Sequence, residues 1–331
     1  MKSLFLSFAS AIALSAFMAG CSDSSSSPSP VSPDSAASSD PTGSNASQNP
    51  EGTPSSNPSG TDTQPGGDSP SASLVAYNTD PAKAGLSITA DADGFYDIGD
   101  IYKAVPAESK IVFILRHGER ESGLGQESPL TQVGVQQGLD AGKKLAGGDA
   151  SFYYASTDFV RTKETAQNIA KGRGETAEVV TWDGINGGYF LTVSSDSLDA
   201  LVSKRGGSFK YVSQWAYGVE FSNPYLVEHG LADCFYDLFE RGNQYIREVI
   251  LANLPNWKRV NVLISHDLLL EPMVVYVSAR SIDLKTYESY RWINYVAGIA
   301  VIQDAAGQVT LLPARGTDSG VLNTRAAYGS N

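Results

Sequence analysis

Residues 110–120 read KIVFILRHGER. The five apolar residues 111–115 stop abruptly at Arg116, His117, Gly118, Glu119 and Arg120. The run has the length and β-branched content of a strand buried on both faces, the kind found in parallel sheets. In open α/β sheets ligands bind at the carboxyl ends of the strands, which is where this polar cluster falls. An imidazole between two guanidiniums is a poor packing solution, because arginine is seldom buried without a partner anion. The chain holds three histidines, His117, His229 and His266, so each can be weighed separately.

Working outward, the pattern predicts a short helix over 97–107 and a second helix opening at Leu130 and Thr131 and running through Val133, Leu139 and Leu145. A strand over 151–155 and a helix over 159–171 follow, then a strand over 178–182. Residues 184–230 are rich in Gly and aromatics and weakly periodic, and 233–254 reads as one helix ended by Pro255 and Asn256. The apolar run 260–264 is another buried strand ending in Ser265, His266 and Asp267, and an apolar helix continues through Val277. Two late strands, 297–303 and 308–312, flank an Asp-Ala-Ala-Gly turn. Strands alternating with helices imply an α/β three-layer sandwich with a largely parallel central sheet, residues 184–254 forming a cap insertion over its carboxyl edge.

Three strand ends then deliver polar groups to one edge: Arg116, His117 and Arg120 after the first strand, Arg161 just past the second, and His266 with Asp267 after the later one. Converging guanidiniums demand an anion, and their planar forks match phosphate oxygens. A neutral imidazole among them is a fitting nucleophile toward phosphorus, since surrounding cations depress its pKa. The remaining cations and His266 would stabilise charge on the transferring group, and a carboxylic acid must protonate the leaving alkoxide.

RHGER after a buried strand, STDFVRTKETA at 156–166 and the later SHD resemble the histidine phosphatase superfamily, which includes phosphoglycerate mutases and histidine acid phosphatases. The resemblance covers roughly residues 108–312, with LTQVGVQQGLDAGKKL as the first helix. It implies a phosphohistidine on His117, with Arg116, Arg161 and His266 as phosphate-binding residues. The acid-phosphatase branch adds an arginine that falls on Arg120 and a proton-donating Asp that falls on Asp267. Asp183, in TWDGINGG, is the rival donor, lying where the mutase-like branch carries its acid. The Pro usual after the branch's third Arg is absent, Glu121 and Ser122 following Arg120 instead. Glu119 reads as a partner for an arginine, His229 as loop or helix-start structure, and Tyr189, Phe190, Trp215, Tyr217 and Phe221 mostly as core of the cap. No zinc-like spacing and no phosphate-binding Gly-rich loop is present, so the expected mechanism uses neither metal nor cofactor.

The N-terminus adds a location. Lys2, the apolar stretch 4–17 and Met18-Ala19-Gly20-Cys21 form a signal segment with a small-residue cleavage site. FMAGC resembles the lipobox of bacterial lipoproteins, which implies cleavage before Cys21 and lipid on its sulfur, with Ser22 hinting at the outer membrane. Residues 22–73 carry no Lys, Arg or aromatic residue and read as a disordered tether with a reach of roughly 40 Å. Six acids in it account for half of the net charge of −12. The organisation expected is a signal peptide (1–20), a lipid-anchored tether (21–75), a catalytic domain (76–315) and a C-terminal tail (316–331). Cys234 is then a lone buried thiol. The acidic balance argues against nucleic acid as a partner. Together these features point to an extracytoplasmic phosphomonoesterase taking a phosphorylated small molecule. The alternative is a lipoprotein that only binds phosphorylated or sulfated ligands, although a binder needs neither a nucleophile nor an acid.

Overall fold

The computed structural model describes residues 74–149 and 151–328. The expected signal segment, Cys21 and nearly all of the expected tether lie outside them. Within the described residues the chain runs β1 (Tyr96–Asp97), α1 (Ile98–Ala104), β2 (Lys110–Arg116), α2 (Gln132–Lys144), β3 (Tyr153–Ser156), α3 (Val160–Arg173) and β4 (Val179–Thr181). It continues with α4 (Ser195–Val202), α5 (Gly207–Ala216), α6 (Pro224–Glu228), α7 (Leu238–Gln244), β5 (Val260–Ser265) and α8 (Asp267–Val277). The last elements are α9 (Thr286–Ser289), β6 (Arg291–Ile293), β7 (Ala297–Gln303), β8 (Val309–Arg315), β9 (Val321–Asn323) and α10 (Arg325–Tyr328).

Seven strands form the central sheet in the order β1-β8-β7-β2-β5-β3-β4. β2, β5, β3 and β4 run parallel, β1 is parallel to β8, and β7 runs antiparallel between β2 and β8. The sheet is therefore mostly parallel, as the buried apolar strands imply. Side chains alternate across it. Ile111, Phe113 and Leu115 of β2 meet Ile98, Ile101, Leu145 and Ile169 of the α1–α3 layer. Val112 and Ile114 face the opposite layer, where Leu269, Leu270, Met273 and Val274 of α8 pack. Each such side chain fully buried contributes about 1.5–3 kcal/mol, which is why β2 reads as one apolar run.

Residues 184–254 begin at the carboxyl edge, where the Ile185 carbonyl accepts a hydrogen bond from Ser265 Oγ at 2.5 Å. They then join the α8 layer through Phe190, Leu198, Tyr211, Leu226 and Tyr245, so much of the expected cap is core. The single helix expected over 233–254 is divided. A 3-10 turn (Leu231–Cys234) is followed by extended Phe235, Asp237 caps α7 by accepting from Glu240 N at 2.8 Å, and Tyr245–Leu251 continues as a π-helix. The stretch after residue 315 is also more than a tail. β9 pairs antiparallel with β6, and Thr324 Oγ1 donates to the Tyr290 carbonyl at 2.8 Å. These strands have three residues each and depend on a partner about thirty positions away, so no local periodicity marks them.

One core residue breaks the apolar pattern. Glu271, in the middle of α8, has no exposed surface and neither carboxyl oxygen has a hydrogen-bond partner. Burial, and then the nearby Asp267 carboxylate, push its pKa well above the ordinary Glu range, so it folds as a neutral acid. A folded pKa above the unfolded one means that stability falls as pH rises beyond the unfolded value of about 4.3. Glu271→Met should therefore stabilise the domain by about 1–3 kcal/mol at neutral pH, with the gain shrinking as the solution is taken to pH 4. Calorimetric melts of both proteins between pH 4 and 7.5 check this, and a gain that grows toward acid would contradict it.

Candidate active site

The pairing register of β2 and β5 builds the site. Arg116 lies opposite Ser265, and His117 N donates to the Ser265 carbonyl at 3.0 Å. The next residues on the two strands, His117 and His266, therefore emerge side by side, with ring centroids 5.6 Å apart. On the other side of β5, Ser156 pairs with Ile264, which brings Thr157 to the same edge and starts α3 beside it. α3 and α8 both begin here, and their N-cap residues, Phe159 and His266, make no side-chain cap bond. Two positive helix ends thus begin beside the cluster, although Asp267 Oδ1 accepts from Leu268 N of α8 at 3.1 Å. Gly118 and Gly134 let α2 press against the loop after β2, since a Cβ on Gly134 would lie 1.9 Å from the Glu119 carbonyl oxygen.

His117 is 4 % exposed. Its Nδ1 lies 2.7 Å from the Gly118 carbonyl oxygen, which can only accept. Nδ1 therefore carries the proton and the neutral ring keeps its lone pair on Nε2. Burial, followed by the Arg116 charge, drives its pKa well below 6.5, against a smaller opposing effect of the Gly118 carbonyl. His266 is fixed in the other tautomer. Arg161 Nη2 approaches Nδ1 at 3.4 Å as a donor, so Nε2–H points to Thr157 Oγ1 at 2.8 Å. Thr157 passes the chain on to Thr162 Oγ1 at 3.0 Å, which donates to the Phe159 carbonyl at 2.8 Å. Burial and then Arg161 push the His266 pKa down to about 4.

Arg116 is 6 % exposed. Its Nη1 donates to the Ile293 carbonyl at 2.6 Å, its Nη2 meets Asp267 Oδ2 at 2.8 Å, and Tyr295 lies under its face. Asp267 also accepts from Trp292 Nε1 at 3.3 Å. Burial raises its pKa, but Arg116, His117 and the Trp292 hydrogen bond together outweigh that and hold it below the ordinary Asp range. Arg161 donates from Nη1 to the Gly125 carbonyl at 2.9 Å and lies over the Phe159 ring. Burial and the Arg120 charge lower its pKa to about 10, so it remains a cation at neutral pH. In both arginines Nε is buried without a partner.

Five residues singled out from the sequence thus meet in one cluster: Arg116, His117, Arg161, His266 and Asp267. Arg120 stands at the exposed rim, donating to the Glu121 carbonyl at 3.0 Å while its charge acts on Arg161 and His266. Asp183 is exposed and lines a cavity of about 530 Å³ with Asn186, Tyr189, Ser194 and Val249, none of them a residue of the cluster. Glu119, expected beside an arginine, accepts from Thr131 Oγ1 at 2.8 Å instead. The hydroxyl that caps α2 is simply nearer. His229 caps α6 and stacks on Tyr225, and Cys234 is a free buried thiol. Cys21 lies outside the described residues.

Sequence reasoning passed over Thr157, Phe159, Trp292 and Tyr295. The first two stood inside the quoted STDFVRTKETA, where a hydroxyl and a ring beside a site arginine were a usable signal. Tyr295 reaches the cluster through Arg116, far away in the chain, and Trp292 through Asp267, across the whole of α8 and the segment after it.

A sequence profile described as the histidine phosphatase superfamily (branch 1) matches residues 112–312, more than half of the chain. Among solved structures the chain is similar to a phosphoglycerate mutase from Bacillus anthracis, at 18% identity and a TM-score of 0.39, covering 68% of this chain and 98% of that one. It is also similar to a phosphoserine phosphatase from Entamoeba histolytica in complex with 3-phosphoglyceric acid, at 17% identity and a TM-score of 0.38, covering 61% and 94%. No curated protein matches the sequence.

The imidazole environments make a direct prediction. In an NMR titration of the free protein, both His117 and His266 should remain neutral as pH falls through 6.5, His266 titrating near 4. Folded values below the unfolded one mean that the unfolded chain binds more protons under pH 6.5, so these two groups destabilise the domain progressively in acid. A His117 midpoint at or above 6.5 would contradict this account.

Proposed function

The chain belongs to the histidine phosphatase superfamily, and on that footing we propose that it is a phosphomonoesterase of the bacterial cell envelope working through a phosphohistidine on His117. One observation carries this reading. The His117 Nδ1–H is tied to the Gly118 carbonyl, so the Nε2 lone pair is the free one, on a ring kept neutral by burial and Arg116. A residue that only bound phosphate would gain more from a protonated ring.

In the proposed reaction His117 Nε2 attacks phosphorus, the P–N bond forms, and the bond to the leaving oxygen breaks. Arg116, Arg161 and the α3 and α8 N-termini stabilise charge on the phosphoryl oxygens, with Arg120 adding positive potential at the rim. His266, which offers Nδ1 toward Arg161, becomes a donor to the phosphoryl group once an anion raises its proton affinity. Asp267 is the proton donor. Free, it is a carboxylate held by Arg116. A phosphate monoester brings negative charge against it and competes for Arg116, and both effects raise its pKa. The proton carried by the monoester monoanion, whose second pKa is about 6, passes to Asp267 and from there to the leaving alkoxide. Water then attacks the phosphohistidine with Asp267 as base, which restores His117 and releases phosphate. The exposed position of Asp183, in a cavity that shares no residue with the cluster, favours Asp267 over it.

The envelope location rests on the sequence of residues 1–73. A lipid on Cys21 would hold the domain on a membrane, outer rather than inner, at the end of its tether.

His117→Ala should abolish turnover of p-nitrophenyl phosphate, whereas Arg161→Ala should leave a weak residual rate, lower by about 10²–10³-fold. Acid-labile phosphate trapped on the His117 peptide by rapid quench is the direct check. Turnover by His117→Ala near the parent rate would end the proposal, and phosphate binding with no turnover by the parent would favour the binder. Asp267→Asn should slow alkyl phosphates by about 10²–10⁴-fold and p-nitrophenyl phosphate far less, because p-nitrophenolate leaves without a proton. If Asp183→Asn shows that leaving-group dependence and Asp267→Asn does not, the donor is Asp183.

Cys21→Ser should shift the protein from the membrane fraction to soluble or unprocessed material with unchanged specific activity. Mass spectrometry of the mature N-terminus decides the point, and an N-terminus elsewhere with no lipid on Cys21 refutes the anchor.

A further inference from the structure

The arginines of the cluster sit in matched surroundings. Arg116 Cζ lies 4.4 Å from the centroid of the Tyr295 ring, and that ring also meets His117 at 6.0 Å. Arg161 Cζ lies 4.3 Å from the centroid of the Phe159 ring, and that ring meets His266 edge-on at 4.6 Å. Each guanidinium has both terminal nitrogens engaged: Arg116 on the Ile293 carbonyl and Asp267, Arg161 on the Gly125 carbonyl and His266 Nδ1. Each is left with a buried, unpartnered Nε–H. A buried donor without an acceptor is destabilising, and two of the same kind at one pocket call for oxygen from outside the protein.

We propose that Phe159 and Tyr295 are positioning residues of the phosphoryl pocket, each fixing the plane of one arginine by its ring face so that the idle Nε–H meets a phosphoryl oxygen. The inference rests on reading the cluster as a phosphoryl site. A buried guanidinium needs electrostatic support on its faces as well as its edges. A carboxylate would supply it but would cancel the charge on which anion binding depends, as Asp267 already does in part for Arg116. The negative face of an aromatic ring attracts the cation and carries no net charge, so the pull on an incoming phosphoryl anion is kept.

The chain supports both rings firmly. Phe159 is the N-cap of α3, two residues before Arg161 on the same first turn. Tyr295 is delivered by Val296, which has φ 55°, a left-handed conformation that a β-branched residue rarely adopts. Two hydrogen bonds hold that conformation, from Val296 N to the Arg116 carbonyl at 3.1 Å and from Gly316 N to the Val296 carbonyl at 2.8 Å. The same bonds fix Tyr295 against the strand end that carries Arg116. Both rings are only partly buried, Tyr295 packing on the edge of the α1–α3 core, so replacing either by leucine keeps an apolar side chain there and costs the interior little.

The test is calorimetric titration of the full-length protein with inorganic phosphate, with melting temperature recorded for each variant. Phe159→Leu and Tyr295→Leu should each weaken phosphate binding by about 2- to 30-fold with little change in melting temperature, the range expected for a cation–π contact between exposed and desolvated limits. Phe159→Tyr and Tyr295→Phe, which keep the ring face, should recover most of the lost affinity. Tyr225→Leu removes the ring under Arg205, a cation–π pair at 3.6 Å outside the cluster, and should leave phosphate binding alone. Should a leucine variant fail to fold, pentafluorophenylalanine at position 159 keeps the shape and inverts the face, and it should weaken binding likewise. Leucine and fluorinated variants that bind phosphate as tightly as the parent overturn the proposal, as does a loss that the ring-bearing variants do not recover. A parent that binds no phosphate removes the phosphoryl-site reading itself, an outcome distinct from a parent that binds and leucine variants that bind equally.

Discussion

The parallel pairing of β2 with β5 is the constraint on which the site depends. With Arg116 opposite Ser265, the residues just beyond the hydrogen-bonded register are His117 and His266, and the two imidazoles meet. A shift of one residue in either strand would turn every side chain to the opposite layer. Val112 and Ile114 would then face α1–α3, and Ile111, Phe113 and Leu115 would face α8. The core therefore enforces the register. Both strands are buried along nearly their whole length, so the penalty for slippage falls on many apolar side chains at once. The precision of this edge is inherited from hydrophobic packing some distance below it.

The edge is electrostatically asymmetric by construction. Two buried or half-buried arginines and two helix N-termini surround histidines that are neutral, with Arg120 at the exposed rim, and one carboxylate moderates the charge. Burial alone would make these cations costly, and the structure offsets that cost with different partners. Arg116 has a carbonyl, a carboxylate and a ring, whereas Arg161 has a carbonyl, an imidazole lone pair and a ring. The low proton affinity of His117 follows from the same arrangement, so the charges that would attract an anion also keep this imidazole unprotonated. In the proposed phosphoryl transfer, one set of charges would serve both requirements.

The layer behind α8 contributes in a less visible way. Residues 184–254 fill that face of the sheet, and the small β6–β9 sheet closes the far wall. From that wall the Ile293 carbonyl and the Trp292 indole reach Arg116 and Asp267. Glu271 lies in the same layer, one helical turn beyond Asp267, buried as a neutral acid. An ionised residue there would add a second negative charge near the pocket, and desolvation prevents it.

The sequence alone determined the alternation of strands and helices, because fully buried strands leave continuous apolar runs such as 111–115 and 260–264. It also pointed to the cluster Arg116, His117, Arg161, His266 and Asp267, because charged groups following such runs have one edge to occupy, but it added Arg120, which the fold leaves at the exposed rim. The short strands β1, β6 and β9 were not legible, since two or three residues carry no period, and neither was the π-helix that divides 233–254. Tertiary structure alone decided which nitrogen of each histidine is free, because that depends on the Gly118 carbonyl for one and on Thr157 and Arg161 for the other. It alone placed Tyr295 and Trp292 at the site and Glu119 on Thr131. Local pattern records what a residue buries, whereas partners far apart in the chain are chosen only when the layers close around them.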